Sequence, residues 1–157
     1  MKTDVKIRMA SDSEADLDAL IRLATAFRDH LGQSLPSDAD FRQSLALLLK
    51  DAGTEFFLAC DALGATPGYV QARHRYSTWT SALEAELEEV FVVHEARRHG
   101  VGLRLLEFVM ARAIDRGCRS IGLNTNGRNT GALALCRKCG FAAERARGGM
   151  EAGSFGC

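Results

Sequence analysis

Residues 97–102 read Arg97, Arg98, His99, Gly100, Val101, Gly102, between the apolar run Val90 to Val93 and an amphipathic segment that starts at Val101. The first backbone N–H groups of a helix have no partners inside it and carry partial positive charge. Glycines at 100 and 102 let a ligand come close to the main chain. Arg97, Arg98 and His99 add charge around it. Residues of these types in this order suit an anion, and phosphate is the usual guest at such a place. Spacing alone fits an ordinary strand-to-helix turn with solvated arginines equally well.

Two other glycine motifs fail. A P-loop needs a Gly-Lys-Ser/Thr ending that is absent, and a dinucleotide fingerprint needs glycine where Leu105 stands. Cys136 and Cys139 form a C-x-x-C pair, but no second pair completes four zinc ligands. The pair also falls inside a helical segment, where a thiolate is not stabilised as it is at a helix N-terminus. His30, His74, His94 and His99 are scattered. No metal site is expected.

The elements that must position the 97–102 turn follow from the apolar spacing. Residues 5–10 read as a strand and 11–32 as a helix, capped by Ser11 or Ser13 and ended by Gly32. Ser37 caps a second helix over 37–53. Residues 54–61 form a strand, 62–68 a turn and 69–80 a half-buried strand. Residues 82–93 are ambiguous, because Ala, Leu and Glu favour helix. The β-branched end favours a strand over at least 86–93. Val101, Leu105, Leu106, Val109, Met110, Ala113 and Ile114 recur at helical spacing, giving a helix over 101–116. Residues 118–126 read as a strand, 129–140 as a short helix capped by Asn129, and 141–146 as a final strand. The order β-α-α-β-β-β-α-β-α-β predicts an α/β (α+β) fold, with one mixed sheet and helices packed on it.

The totals agree with a single domain over residues 1–157, with 147–157 as an irregular tail. Apolar residues make up 46% of the chain and charged residues 25%, close to globular averages. The formal net charge is zero, so no whole-domain basic field for nucleic acid exists and any anion site must be local. No apolar stretch approaches the roughly 20 residues of a membrane span, and no signal peptide is recognisable. Five cysteines without an export signal read as reduced thiols. The expected setting is cytoplasmic, without nucleic-acid or membrane partners.

Arg97 to Gly102 match the R-x-x-G-x-G pyrophosphate loop of the GNAT superfamily of N-acetyltransferases. Asn129, Ala132, Leu135, Lys138, Gly140 and Phe141 match that family's later N-x-x-A-x-x-L-Y-x-K-x-G-F signature in register. The resemblance spans roughly residues 5–146. It implies a mostly antiparallel central sheet with helices on both faces, splayed between strands 4 and 5. It implies acetyl-CoA as cosubstrate, with its pyrophosphate on the main chain of Arg98, His99, Gly100, Val101 and Gly102, and Arg97 in support. The pantetheine arm would pair with the main chain of Phe91, Val92 and Val93, and Asn129 would bond the lower arm.

The implied reaction is direct acetyl transfer to a primary amine of a small cationic molecule, through a ternary complex. Protein or peptide N-acetylation and a non-catalytic acyl-CoA-binding module are the alternatives. An alkyl ammonium with a pKa near 10.4 must lose a proton before it attacks, and a carboxylate can take it. The stretch Leu87 to Val92 resembles the Leu-Glu-Asp-aromatic-aromatic-Val segment of spermidine/spermine N-acetyltransferases, whose glutamate aligns with Glu88. Strand alternation sends Glu88 and Glu89 to opposite faces, so only one would face the substrate, with Glu88 preferred. The acyl oxygen would meet a strand N–H near Phe91 or Val92. Many family members carry tyrosine at the position of Cys136 to protonate the departing thiolate. Here Cys136 itself, Tyr69, Tyr76 or water would serve, or CoA would leave as the free thiolate. Acceptor contacts are expected from residues 25–40 and the 76–84 turn, with Tyr76 and Trp79. The tail lacks the alternating apolar strand that usually ends this fold. That strand is expected to be short, missing, or supplied by a partner chain in a homodimer.

Overall fold

In the computed structural model, described for residues 4–125, 142–145 and 153–156, one seven-stranded sheet organises the chain. The elements are β1 (Val5–Met9), α1 (Glu14–His30), α2 (Asp38–Leu48), β2 (Thr54–Asp61), β3 (Gly68–Ser77), β4 (Ala82–Val92) and a 3₁₀ turn (His94–Ala96). They continue with α3 (Val101–Asp115), β5 (Cys118–Thr125), β6 (Ala142–Arg145) and β7 (Gly153–Gly156). The sheet order is β1-β2-β3-β4-β5-β7-β6. Every neighbouring pair is antiparallel except β4–β5, which is parallel. The predicted helix over 129–140 lies outside the described residues.

β2 shows why both faces need cover. Its Phe56 and Leu58 point one way, and Phe57 and Ala59 the other; all four are buried. On one face α3 packs Val101, Leu105, Leu106, Val109 and Ala113 against Phe57, Val70, Leu87, Val90 and Leu123. Ile114, which the spacing places on this stripe, is instead 68% exposed near the end of α3. On the other face α1 and α2 pack Leu17, Leu20, Leu23, Ala24 and Leu45 against Phe56, Leu58, Tyr69 and Phe91. Ser13, not Ser11, caps α1, accepting from the Asp16 N–H at 3.2 Å. Ser11 instead donates to the Asp16 carboxylate, which also takes Arg8 through two bonds of 2.8 and 2.7 Å. Ser37 and Asp40 form a capping box at the start of α2.

Residues 82–93 resolve toward strand, because β3 supplies a ladder along the whole of β4. Tertiary pairing overrides the helical preference of Ala, Leu and Glu. β4 pairs with β5 only from Leu83–Cys118 to Leu87–Leu123, and then runs on to Val92 beside β3 alone. The two parallel strands therefore part in mid-sheet. The irregular tail expected over 147–157 needs correction. Residues Gly153–Gly156 form β7, inserted between β5 and β6. A backbone ladder on both sides holds these four residues without apolar alternation. This strand comes from the chain itself, so sheet completion does not require a partner.

A buried charge joins the sheet to α3. Glu55 of β2 accepts from Arg112 at 3.0 and 3.1 Å and from Arg116 at 3.0 Å, and the His74 imidazole of β3 lies 3.6 Å away. Burial alone would raise the Glu55 carboxyl, but the bonds and charges of both arginines outweigh it and hold it below the ordinary 4.5. The His74 imidazole is held below 6.5, first by burial and then by the Arg116 charge. Both groups bind a proton more readily in the unfolded chain. Stability is therefore complete at neutral pH, declines below about 6.5 through His74, and declines further below about 4.5 as Glu55 protonates. In urea titrations, Glu55→Gln is expected to lower the unfolding free energy at pH 7 by about 1–3 kcal/mol. It is also expected to flatten the dependence on pH below 4.5.

Candidate active site

The two glutamates of β4 do not obey strict alternation. Gln71 of β3 pairs with Glu89, but the next residue, Ala72, pairs with Leu87. Glu88 is thus an extra residue, a β-bulge. Leu87 and Val90 both enter the core under α3, three positions apart where alternation allows two or four. Tyr69, Gln71 and Arg73 share the opposite face of β3 by their period of two. The Tyr69 hydroxyl donates to Glu89, while Gln71 Nε2 donates to Glu88 at 3.1 Å and Arg73 Nε stands 3.2 Å from it. Both glutamates therefore lie on one face, and the expectation that only one can look toward a substrate is corrected.

Their surroundings differ. Glu88 Oε2 is taken by Gln71 and Oε1 by Arg73. Glu89 Oε2 is taken by Tyr69, and its Oε1 has no hydrogen-bond partner among the described residues. Burial raises the Glu89 carboxyl above 4.5; the Tyr69 bond opposes this and the Glu88 charge adds to it. Burial and the adjacent Glu89 also push the Tyr69 phenol well above 10. Register places Glu84 and Glu86 on the same face of β4, opposite Arg75 and Arg73. That gives four carboxylates facing two guanidinium groups.

Beyond the bulge, β4 offers an open main-chain edge. The Val93 N–H donates to the Pro67 carbonyl at 2.9 Å, on the β3 side. Phe91, two residues earlier, points its carbonyl to the same side, against Gly68. Val92 and Val90 therefore turn their main-chain groups the other way, toward the gap left by β5. Of the three residues singled out by sequence, only Val92 faces the gap; Val90 joins it, and Phe91 and Val93 are turned to β3. Arg97 Nε donates to the Val92 carbonyl at 3.0 Å and its guanidinium lies 5.8 Å from the Phe91 ring centre. The Phe27 ring packs against Phe91 at 5.0 Å and His30 at 6.2 Å.

The turn that follows is shaped by two left-handed residues, Arg98 at φ 65° and Gly100 at φ 82°. A non-glycine residue in this region costs on the order of 1 kcal/mol, and such strain concentrates where a loop must serve a ligand. Gly100 is the N-cap of α3 and offers no side chain. The first helical bond runs from the Arg104 N–H to the Gly100 carbonyl at 3.1 Å. The N–H groups of Val101, Gly102 and Leu103 have no acceptor a turn earlier. Val101 and Gly102 are buried, Arg98 is exposed and His99 half-buried. The turn thus aims main-chain donors outward beside the open edge of β4, an arrangement suited to an elongated ligand with an anionic end.

Asn129 and Cys136 lie outside the described residues. Tyr76 is excluded as an acid at this site. It faces the α3 side, is paired with Leu83, and stands seven residues along β3 from Tyr69, roughly 23 Å. Tyr69 has no exposed surface and its proton is committed to Glu89. Trp79 stands 96% exposed in the hairpin between β3 and β4. No group of three or more metal-binding side chains occurs among the described residues. Sequence reading missed Gln71 and Arg73. An antiparallel pairing of 69–73 against 86–91 would have brought them beside the glutamates, but the bulge would still have put the register out by one.

A family model described as the acetyltransferase (GNAT) family matches residues 17–141. Aminoglycoside N(6')-acetyltransferase type 1 of Stenotrophomonas maltophilia is 34% identical over 138 residues, covering 86% of this chain and 84% of that protein. Among solved structures, a probable acetyltransferase superposes with a TM-score of 0.80 at 23% identity, covering 88% of this chain and 91% of the other. An aminoglycoside N-acetyltransferase in complex with CoA gives 0.77 at 21% identity, with 93% of each chain covered.

The edge geometry can be tested without any ligand. A Cβ on Gly68 would stand 2.9 Å from the Phe91 carbonyl oxygen and 3.2 Å from side-chain atoms of Leu105 and Val92. The first contact is with backbone, so β4 must move. Gly68→Ala is expected to cost about 1–3 kcal/mol of stability, read as a lower urea midpoint at unchanged slope.

Proposed function

The chain belongs to the GNAT family of acetyltransferases, and on that premise we propose that it moves an acetyl group from acetyl-CoA to a primary amine of a small cationic molecule. The observation that carries this reading is the order of features along one strand: the acidic pair Glu88–Glu89, then the open edge at Val90 and Val92, then the loop tied back by Arg97. Acetyl-CoA supplies an acyl thioester. The main-chain donors of Val101 and Gly102, with the exposed Arg98, suit its pyrophosphate, and the edge of β4 suits an extended amide arm. His99, Gly100, Arg97 and Asn129 belong to the same proposed binding set.

Both substrates would be held at once. A carboxylate of the pair takes a proton from the acceptor ammonium, and the freed amine attacks the acyl carbon. The N–C bond forms, the C–S bond breaks and the electron pair leaves with sulfur, while the second proton on nitrogen passes to water or to the thiolate and leaves a neutral amide. The Val92 N–H, turned to the gap, is a donor for the acyl oxygen as charge develops on it. With Tyr69 and Tyr76 removed from the candidates, the thiolate departs as such or takes its proton from water; Cys136 stays outside the described residues. A cationic acceptor is favoured by the four glutamates on this face of β4, and the relative from Stenotrophomonas maltophilia makes aminoglycosides the first acceptors to try. The reading places the enzyme in the cytoplasm, and among the described residues no helix is long and apolar enough to cross a membrane.

The test is release of CoA thiol from acetyl-CoA across a panel of aminoglycosides, polyamines, monoamines and peptides. Turnover on small polycationic amines supports the reading. Turnover confined to peptides moves the acceptor to protein, and binding of acetyl-CoA without release leaves a binding module. Glu88→Gln combined with Glu89→Gln is expected to lower kcat by about 10²-fold. Gly100→Val meets no atom of the described residues within 4 Å, so its effect is expected from φ +82° and from crowding the ligand. It is expected to weaken CoA binding by about 10-fold or more in calorimetry.

A further inference from the structure

We infer that Tyr69 is a positioning residue for the catalytic base, that Glu89 is that base, and that Glu88 is held apart from proton transfer by Gln71 and Arg73. This rests on the acetyltransferase reading and deepens it.

The geometry separates two carboxylates that look equivalent in sequence. Glu88 has both oxygens engaged, one by a cation and one by an amide. An incoming ammonium meets the Arg73 cation at one oxygen and the Gln71 amide at the other, with one further lone pair left on each. Glu89 has one oxygen fixed and one free among the described residues. The fixed oxygen is held by a phenol whose ring is buried between the sheet and α1, among Leu58, Phe91 and the α1 leucines. A ring packed on all sides cannot swing, so it sets the rotamer of the carboxylate it bonds. The free oxygen, Oε1, is then the site where an ammonium proton can go. The holder lies diagonally across the β3–β4 ladder from the base, Tyr69 pairing with Phe91 and Glu89 with Gln71, and the bulge at Glu88 brings the second carboxylate to the same side.

The charged and titratable groups around Glu89 are few. Tyr69 comes from β3 and Glu88 from its own strand. Arg73 of β3 is engaged with Glu88. His30 of α1 and Arg97 of the loop reach the ring of Phe91, two residues further along the same face. Burial and the Glu88 charge make the Glu89 carboxylate more basic, and the Tyr69 bond restrains that rise.

The signs give a test that a structural role alone would not reproduce. The full-length protein is assayed for CoA thiol release with an aminoglycoside or polyamine, and kcat/KM is followed against pH. Tyr69→Phe removes a bond to the ionised carboxylate, so the acid limb is expected to move up by about one pH unit. kcat should fall about 10-fold while KM for the amine changes less than about threefold. Glu88→Gln removes a neighbouring negative charge, so the limb should move down. Glu89→Gln should abolish the limb. Should Tyr69→Phe fail to fold, the two glutamate variants still decide between the carboxylates. Abolition of the limb by Glu88→Gln, or an acid limb unmoved in Tyr69→Phe, overturns the inference while the acetyltransferase reading stands. Absence of turnover in the unaltered protein on every amine overturns both.

Discussion

β4 is bonded to β3 along its whole length and to β5 along only half of it. That inequality is the constraint on which the rest of the molecule depends. A parallel pair in mid-sheet would ordinarily continue, leaving no main-chain group unpaired. Here the strands part after Leu87, at the residue before the bulge. The extra residue re-aims the chain, so that the carboxylates fall on one face and the main-chain groups of Val90 and Val92 fall on the open edge, where Arg97 takes the Val92 carbonyl. Gly68 permits it, because only a residue without Cβ lets the Phe91 carbonyl approach so closely.

The parting is tolerable because its surroundings are firm. α3 locks five buried side chains against the strands on one face, and α1 with α2 lock the other. Glu55 ties α3 to β2 and β3 through Arg112, Arg116 and His74. Each of these holds the strands at a distance from the gap, which then keeps its width without bonds across it. The left-handed Arg98 and Gly100 are held in the same way, by a helix whose first two residues, Val101 and Gly102, are buried.

Much of the scaffold was legible in sequence because single-face burial leaves a period. α3 showed it, and so did α1, whose leucines face Phe56 and Tyr69. The loop stood out in sequence as a candidate anion site because its glycines and arginines are rare as a set. The bulge was not. It has no glycine or proline to mark it, and a Glu-Glu pair reads the same whether its members share a face or not. Main-chain direction was equally hidden: nothing in the types of Phe91, Val92 and Val93 tells which of them turns toward β3. Nor does sequence distinguish Ser11 from Ser13 as a cap, since both precede the same acidic turn. What sequence hid in each case was a choice that only a neighbouring strand or side chain decides.

The Arg97 bond to the Val92 carbonyl bears on how such a gap survives in a crowded solution. An unpaired strand edge invites any extended chain to add itself, and that is a common route to aggregation. Most edges at risk are at the outside of a sheet. This one is indoors, short, flanked by β5, and capped at one carbonyl by a guanidinium from the loop that follows. A passing polypeptide strand would need room for side chains on both faces and would have to displace Arg97. A slender chain without side groups needs neither concession of width nor a long run of partners. The feature that leaves the edge open to the proposed acyl-CoA arm thus also screens out other polypeptide strands.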